Sequence, residues 1–280
     1  MKHRTRIMLG LAVVTGLVVP VAALASSGGA AAAAPSSTVP MAYTCSGGDL
    51  GSGNLTKIPS GIYASITVTG ACAVTPNATV TVIGDVNVAS GAVFDAQSAP
   101  SKITVGGDIT AASGSLLGLG CEPNPPKHTT GHPCTVEPHR QSTIVVFGNI
   151  TATDADTVLL NGITVEGNVT LLGGGEDVNP WSIKTNWIGG DLVVSGVTPN
   201  WIGVILNKVG GDVILTNITI TDPGDPSPTI FVASNTVGRD LTCWGLGPAV
   251  SGGFTGEVNV VGGQALGQCA DLQDETPPPS

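Results

Sequence analysis

The chain has 280 residues, 40 of them glycine, and carries a formal net charge of −10 at pH 7. Only 4% of its residues are aromatic although 41% are hydrophobic, a composition that fits a narrow aliphatic core better than a globular one. The acidic balance argues against nucleic acid and anionic membranes as partners.

The first 25 residues are typical of a secretory signal, because three basic residues precede an apolar run that ends in small residues. Residues 26–40 form an Ala-, Ser- and Pro-rich leader, and the repeats described below occupy residues 41–270. Without the signal, the chain has seven basic and twenty acidic residues, which gives a formal charge of −13. The tail at 271–280 has no apolar anchor, so we expect a protein released outside the cell without a membrane span.

One string recurs along the chain: Asn, any residue, an aliphatic residue, Gly-Gly-Asp and an aliphatic residue occur at 186–192 and again at 207–213. Taking this Asp position as an anchor, an aliphatic residue precedes it by three positions in nine consecutive repeats. The anchors are Ala71, Asp85, Asp108, Asn149, Asn168, Asp191, Asp212, Asp240 and Gln264. Successive anchors are 14 to 41 residues apart, mostly about twenty, which is the pattern of a repeat protein.

Apolar residues alternate on both sides of the Gly-Gly pair, which predicts two short strands that meet at a bend. The repeat length leaves room for a third strand and its turns, whereas helical periodicity is absent. Strand repeats of this length stack as coils of a parallel β-solenoid, each coil adding roughly 4.8 Å. The predicted fold is therefore all-β: a single-stranded parallel β-helix of about nine coils.

Asparagine and cysteine support this register. Five residues before the anchor, the last four repeats carry Asn186, Asn207, Asn235 and Asn259. Stacked amides can donate to one another's carbonyl oxygens, so we expect a structural asparagine ladder.

The six cysteines all follow the signal, and an oxidising destination favours disulfides, although spacing alone leaves the connectivity open. Proximity in the register favours three pairs: Cys45–Cys72, Cys121–Cys134 and Cys243–Cys269.

These repeats, the asparagine column and the ending Val-Gly-Gly-Gln-Ala-Leu-Gly-Gln-Cys at 261–269 resemble a group of secreted β-helix proteins of actinomycetes. The group's recurring string is Gly-Gly-Asn-Val-Thr-Val, and this chain mostly has Asp in place of that Asn. The resemblance covers 45–269 and implies no assigned activity. The fold is similar to the right-handed parallel β-helix of pectate lyases, which implies a right-handed coil. Such lyases use acidic residues that bind calcium beside a basic residue, but no motif here matches theirs and a fold does not carry function.

The anchors Asp191, Asp212 and Asp240 are expected to stack one coil apart, where like charges repel. Calcium binding, or protonation of one carboxylate as in an acid catalyst, would relieve that repulsion. With Lys208 or Arg239 as the base, these residues are the candidate catalytic group. The structural alternative is that each anchor side chain caps its own Gly-Gly turn, which the mixture of residue types in the column favours.

Histidine and tryptophan supply the remaining candidates. His128, His132 and His139 lie in or beside an insertion at 121–134 and are candidate zinc or copper ligands, although their spacing matches no metal motif. The alternative is a solvated Pro-rich loop. Trp187 and Trp201 are candidate platforms for a sugar ring, or they pack under a second, shorter insertion.

The repeat pattern accounts for almost every residue without requiring a functional site, so the leading hypothesis is a secreted, monomeric, non-catalytic β-helix. It would bind or coat at the cell surface or in the extracellular matrix, with polysaccharide or cell-wall glycan as the expected partner. No cofactor is required, and calcium is an option. The alternative is a carbohydrate-active enzyme, a polysaccharide lyase or glycoside hydrolase, that uses the stacked aspartates with or without calcium.

Overall fold

The computed structural model describes the chain at residues 39–124, 131–176, 180–221, 227–253 and 258–272. The predicted signal, most of the leader, most of the tail, His128 and residues 222–226 of the second insertion fall outside these residues. Within them the protein is almost entirely β, with parallel strands and one short 3-10 helix, η1 (Ala270–Leu272). No helix in these ranges is long and apolar enough to cross a membrane.

Each complete repeat contributes three strands, and equivalent strands of successive repeats pair in parallel to form three rows. The first row, before the bend, contains β5 (Thr79–Val82), β8 (Lys102–Val105), β11 (Thr143–Val146), β14 (Thr164–Val165), β17 (Trp187–Ile188), β20 (Lys208–Val209), β23 (Thr236–Val237) and β26 (Val260–Val261). The second row, after the bend, contains β1 (Met41–Cys45), β6 (Val86–Val88), β9 (Ile109–Ala111), β12 (Ile150–Thr153), β15 (Val169–Leu172), β18 (Leu192–Ser195), β21 (Val213–Thr219), β24 (Leu241–Gly247) and β27 (Ala265–Gly267).

The third row completes each repeat. It contains β2 (Thr56–Ile58), β4 (Ala71–Val74), β7 (Val93–Ala96), β10 (Leu116–Leu119), β13 (Thr157–Asn161), β16 (Trp181–Lys184), β19 (Ile202–Ile205), β22 (Ile230–Ala233) and β25 (Val250–Ser251). Strand β3 (Gly61–Val68) spans the bend and pairs with both β5 and β6. Among the described strands, the first two rows and β3 form an 18-stranded sheet and the third row a nine-stranded sheet, which is consistent with a β-solenoid.

The first anchor, Ala71, was assigned wrongly. Ala71 pairs with Val93 in the third row, whereas Ile66 pairs with Val86, so Ser65 lies opposite Asp85 at the bend. This repeat has one residue fewer at its bend and no Gly-Gly pair, so a glycine at the next corner imitated the motif in the sequence. The short 14-residue spacing therefore disappears.

Inward side chains of all three rows form a hydrophobic cluster along the stack. Most members are aliphatic, as the composition predicts, because each row presents alternate residues to the interior. The largest buried side chain is Trp181, which is fully buried on β16 and whose Nε1 donates to the Asp156 carbonyl at 3.0 Å. The core therefore positions the turn that carries Asp156.

The asparagine ladder lies at the corner between the third row and the next first row. Asn207 shows its bonding: Nδ2 donates to Asn235 Oδ1 at 3.0 Å and to the Ile183 carbonyl at 2.8 Å. Its Oδ1 accepts from Asn186, at 3.1 Å from the backbone N and 3.0 Å from Nδ2. At the end of the ladder, Asn259 Nδ2 donates to the Leu272 carbonyl of η1 at 2.8 Å. All four amides are buried, so the structural ladder is confirmed.

The three predicted disulfides are confirmed. Cys45–Cys72 joins the first repeats, Cys121–Cys134 closes the first insertion, and Cys243–Cys269 joins the last repeats. Covalent bonds therefore lie near both ends of the stack, where core and strand edges are otherwise open. Three disulfides are compatible with an extracellular protein.

Candidate functional site

The aspartates of the bend column bond between repeats. Each anchor side chain places Oδ1 where it accepts the backbone N–H of the next anchor, at N···O distances of 2.7–2.9 Å. The acceptors are Asp85, Asp108, Asn149, Asn168, Asp191, Asp212 and Asp240. The prediction that each side chain caps its own turn is therefore wrong. This hydrogen bond needs only one acceptor oxygen, which explains why both Asp and Asn occur in this column.

The hydrogen bond between successive anchors also explains why glycine precedes the anchor at most bends. A β-carbon on Gly211 would collide with Asp191 Oδ1, and one on Gly190 with Asn168 Oδ1. At these two bends the second glycine therefore leaves room for the acceptor of the preceding repeat, whereas the bend before Asp240 accommodates Arg239 at this position and keeps the hydrogen bond. The motif is the signature of a hydrogen bond between repeats.

Arg239 stands at the second glycine position and contacts two of these carboxylates. Its Nη2 lies 2.8 Å from Asp191 Oδ1 and its Nη1 lies 3.7 Å from Asp212 Oδ2. The Arg239 side chain is 61% exposed, so its ion pair with Asp191 contributes little to stability but reduces the repulsion along the column. Lys208 lies on the outward side of the first row, opposite Trp187. Among the predicted catalytic residues, Arg239 is thus brought to Asp191 and Asp212 in an arrangement that structural bonding accounts for.

Replacing Asp108 with alanine is expected to lower the free energy of unfolding by about 1–3 kcal/mol, because the Asn149 backbone N–H would lose its acceptor. Asp108→Asn keeps an acceptor oxygen at the same place and should cost under about 1 kcal/mol. Urea unfolding of both variants measures the difference. Equal destabilisation by the two substitutions would show that charge, rather than the acceptor oxygen, matters at this position.

A second polar group is assembled at the corner where the third row ends. Glu122 follows Cys121 at the start of the first insertion, and its backbone N donates to the His132 carbonyl at 2.8 Å. The Glu122 carboxylate accepts a hydrogen bond from the Thr185 hydroxyl. Lys184, at the end of β16, lies within electrostatic range of both Glu122 and His132. The insertion thus brings a carboxyl group, an imidazole and an amine together, and all three are half-buried.

Burial shifts the pKa of all three groups toward their neutral forms. It raises the pKa of Glu122, although the Thr185 hydrogen bond and the Lys184 charge oppose the shift. Burial lowers the pKa of Lys184, against the attraction of Glu122. Burial and the Lys184 charge together lower the pKa of His132. A half-buried acid beside a half-buried amine is an arrangement found at binding and proton-transfer sites as well as in structural networks.

Two aromatic rings continue this group along the third row. Lys184 Nζ lies 5.0 Å from the Trp201 ring centroid, and the Trp201 and Phe231 ring centroids are 5.9 Å apart. A β-carbon on Gly203 would collide with the Trp201 indole, so this glycine lets the ring lie against the row. Both rings are half-buried. We call Glu122, His132, Lys184, Trp201 and Phe231 the corner cluster.

The floor of the corner cluster contains a buried amide. Asn161 pairs in register with Lys184, and its Oδ1 accepts from the Ser182 hydroxyl at 2.6 Å. Its Nδ2 is buried and has no protein hydrogen-bond partner. A buried donor without a partner is costly, so a water or a ligand group is expected to satisfy it.

The structure separates several other candidates. Trp187 lies on the outward side of the first row and Trp201 directly precedes the third-row strand β19, so they do not form one platform. His132 joins the corner cluster, whereas His139 is exposed and His128 falls outside the described residues. Within the described ranges, no three His, Cys, Asp or Glu side chains meet in an arrangement that could hold a metal ion.

Sequence reasoning did not single out Lys184 or Phe231. Both occupy outward positions of third-row strands, and the available signal was a charged or aromatic residue interrupting a short aliphatic strand. Comparison with known proteins finds no match to a family model, to a curated protein or to a solved structure. The function proposed below therefore depends on these residues alone.

Two groups of the corner cluster make opposite contributions to the free energy of unfolding between pH 7 and pH 5: as the pH falls, the raised pKa of Glu122 increases it and the lowered pKa of His132 decreases it. The pKa of His132 is lowered in the folded state, so as pH falls through the unfolded value of about 6.5 the unfolded chain takes up the proton first. His132→Gln should remove the decrease that His132 causes, so this variant should keep more of its free energy of unfolding as the pH falls from 7 to 5 than the unsubstituted protein keeps. Urea unfolding across this range measures it, and a slope identical to that of the unsubstituted protein would contradict the prediction.

Proposed function

We propose that the protein is a secreted, monomeric, right-handed single-stranded parallel β-helix of about nine coils that binds polysaccharide or cell-wall glycan without catalysis. The supporting observation is the corner cluster, where Trp201 and Phe231 lie beside hydrogen-bonding and charged groups along the third row of strands. Sugar rings bind by stacking on aromatic faces and by hydrogen bonds at their edges. No metal ion is needed for such binding.

The bend column favours a structural role over catalysis. Asp191, Asp212 and Asp240 each direct Oδ1 to a backbone N–H of the next repeat, and Arg239 contacts the first two. Neutral residues at Asn149 and Asn168 bond in the same way, so the column does not depend on its charge. The repeat therefore serves as a rigid support on which the corner cluster is carried.

Trp201→Ala is expected to weaken glycan binding at least about tenfold, because the ring supplies the largest apolar contact of the cluster. Retention of the exported chain on a panel of insoluble plant, algal and bacterial polysaccharides measures binding, with circular dichroism as a check of folding. Trp187→Ala is the matched control, since that indole lies on another row. Equal losses in both variants, or no retention on any polysaccharide, would contradict the proposal.

The second candidate is a carbohydrate-active enzyme, a lyase or hydrolase, that uses Glu122 and Lys184 rather than the bend aspartates. Opposite pKa shifts of these two residues favour it, because a neutral amine can remove a proton while a carboxylic acid donates one to the leaving oxygen. New reducing ends and ultraviolet absorbance of unsaturated sugars, with and without calcium, would reveal it. Product that disappears in Glu122→Gln and persists in Asp212→Ala would support this alternative. Product that is lost only in Asp212→Ala would instead indicate that the bend aspartates are the catalytic residues.

A further inference from the structure

A groove of about 470 Å³ lies at the other end of the third-row strands from the corner cluster, where the second row turns into the third. Its floor consists of outward side chains at the starts of successive third-row strands, which pair in register: Ala71, Val93, Leu116 and Thr157. Its rim consists of turns with glycines and three carboxylates: Gly48, Gly70, Gly91, Gly114, Asp49, Asp156 and Glu176. The groove shares no residue with the corner cluster or the bend column.

The carboxylates lie at the two ends of an apolar floor. Asp49 belongs to the first described repeat, since the Ala71 backbone N donates to the Gly47 carbonyl one repeat earlier. Asp156 is four repeats further along, which corresponds to roughly 19 Å at about 4.8 Å per repeat. Glu176 follows one repeat later, because the Gly175 backbone N donates to the Ala155 carbonyl. One end thus holds one carboxylate and the other end two stacked carboxylates.

A buried hydroxyl gives an independent indication of a ligand. Thr157 is 2% exposed and lines the groove, and its neighbour Val158 points into the core, so alternation directs Thr157 outward into the groove. The Thr157 Oγ1 has no protein hydrogen-bond partner. An unpartnered buried hydroxyl that faces the groove indicates that a polar ligand group completes this end, and the neighbouring carboxylates favour a cationic one.

We propose that this groove binds a linear polyamine, a chain of methylene segments between ammonium groups. The methylene segments would lie on Val93 and Leu116, one terminal ammonium would reach Asp49, and the other would bind between Asp156 and Glu176 with a hydrogen bond to Thr157. A divalent cation fits less well, because the carboxylates are distributed along the stack and no three of them in the described chain converge on one point. Each charged residue that the described part of the chain contributes to the groove is acidic, which favours a polycation.

The matched test uses spermine as the probe and isothermal titration calorimetry on the exported chain at low salt. One saturable site is expected, and the double variant Asp156→Asn, Glu176→Gln should weaken spermine binding at least about tenfold, because it removes both carboxylate charges at one end of the groove. Thr157→Val, which keeps the shape of the side chain, should weaken binding by about threefold or more. Asp49→Asn should weaken spermine without affecting propylamine, which is too short to span the groove.

Glu166→Gln is the control, because Glu166 is an exposed carboxylate on the bend side of the repeat. Unchanged affinity in this variant and in Trp201→Ala would locate binding in the groove, separate from the glycan site. Loss of affinity in Glu166→Gln equal to that in the double variant would mean a diffuse counterion effect and overturn the proposal. Absence of saturable spermine binding, or saturable binding of calcium at this groove in its place, would overturn it as well.

Discussion

Asn207→Ala is expected to lower the free energy of unfolding by about 3–4 kcal/mol, because several buried groups lose their partners at once. The Asn186 amide loses its acceptor, and the Ile183 carbonyl and Asn235 Oδ1 lose a donor. Each buried unsatisfied group costs about 1–3 kcal/mol, and water entering the space left behind recovers part of that cost. Asn207→Asp should be worse still, since a buried carboxylate has no N–H to donate.

Asn87→Ala is the matched control for this substitution. Asn87 also lies on a strand and bonds to a neighbouring repeat through Thr110 Oγ1 at 2.8 Å, but it is exposed, so its loss should cost under about 1 kcal/mol. Urea unfolding monitored by circular dichroism measures both variants. If the two substitutions cost the same, burial of the ladder would not be what makes it stabilising.

Trp181→Ala is expected to cost about 3–5 kcal/mol, because it leaves a cavity where the largest side chain of the core was. Trp181→Phe should cost less, since it keeps an aromatic ring but removes the Nε1 donor to the Asp156 carbonyl. The surface control is Trp244→Ala, whose side chain is 56% exposed, and we expect a change under about 1 kcal/mol.

Thermal and urea unfolding of the three tryptophan variants test this order. We also expect an effect of Trp181→Phe on ligand binding, because this variant lacks the hydrogen bond from Trp181 Nε1 that holds the turn at Asp156 in place. Spermine affinity should therefore fall in Trp181→Phe although the protein remains folded. A Trp181→Ala variant as stable as Trp244→Ala would contradict the assignment of this side chain to the core.

The sequence predicted the regular parts of the molecule because they repeat. Period-2 apolar patterns and Gly-Gly pairs located the strands and bends, and the cysteine register located the disulfides. The first repeat was misassigned because Gly70, a corner glycine, stands in a local context that resembles the bend motif. The role of the aspartates was missed for a different reason: the partner of Asp191 is 21 residues away, on the next repeat.

The corner cluster could be predicted only in part. Glu122 and His132 belong to an insertion whose path over the third row is not encoded in any periodic pattern. Lys184 and Phe231 become notable only when that path brings other polar or aromatic groups to them. Placement of a loop on a regular surface depends on contacts distant in the chain, which residue patterns do not specify.

The end of the asparagine ladder determines how the length of this protein can change. The Leu272 carbonyl of η1 accepts from both the backbone N and Nδ2 of Asn259, and so stands where the amide oxygen of a further repeat would stand. Since the repeats that carry Asn186, Asn207 and Asn235 offer the same donors and acceptors to their neighbours, whole repeats of this kind can be gained or lost by duplication or deletion of the corresponding gene segment. Length is therefore a property that evolution or an engineer can vary in steps of one repeat, while the terminal segments stay the same.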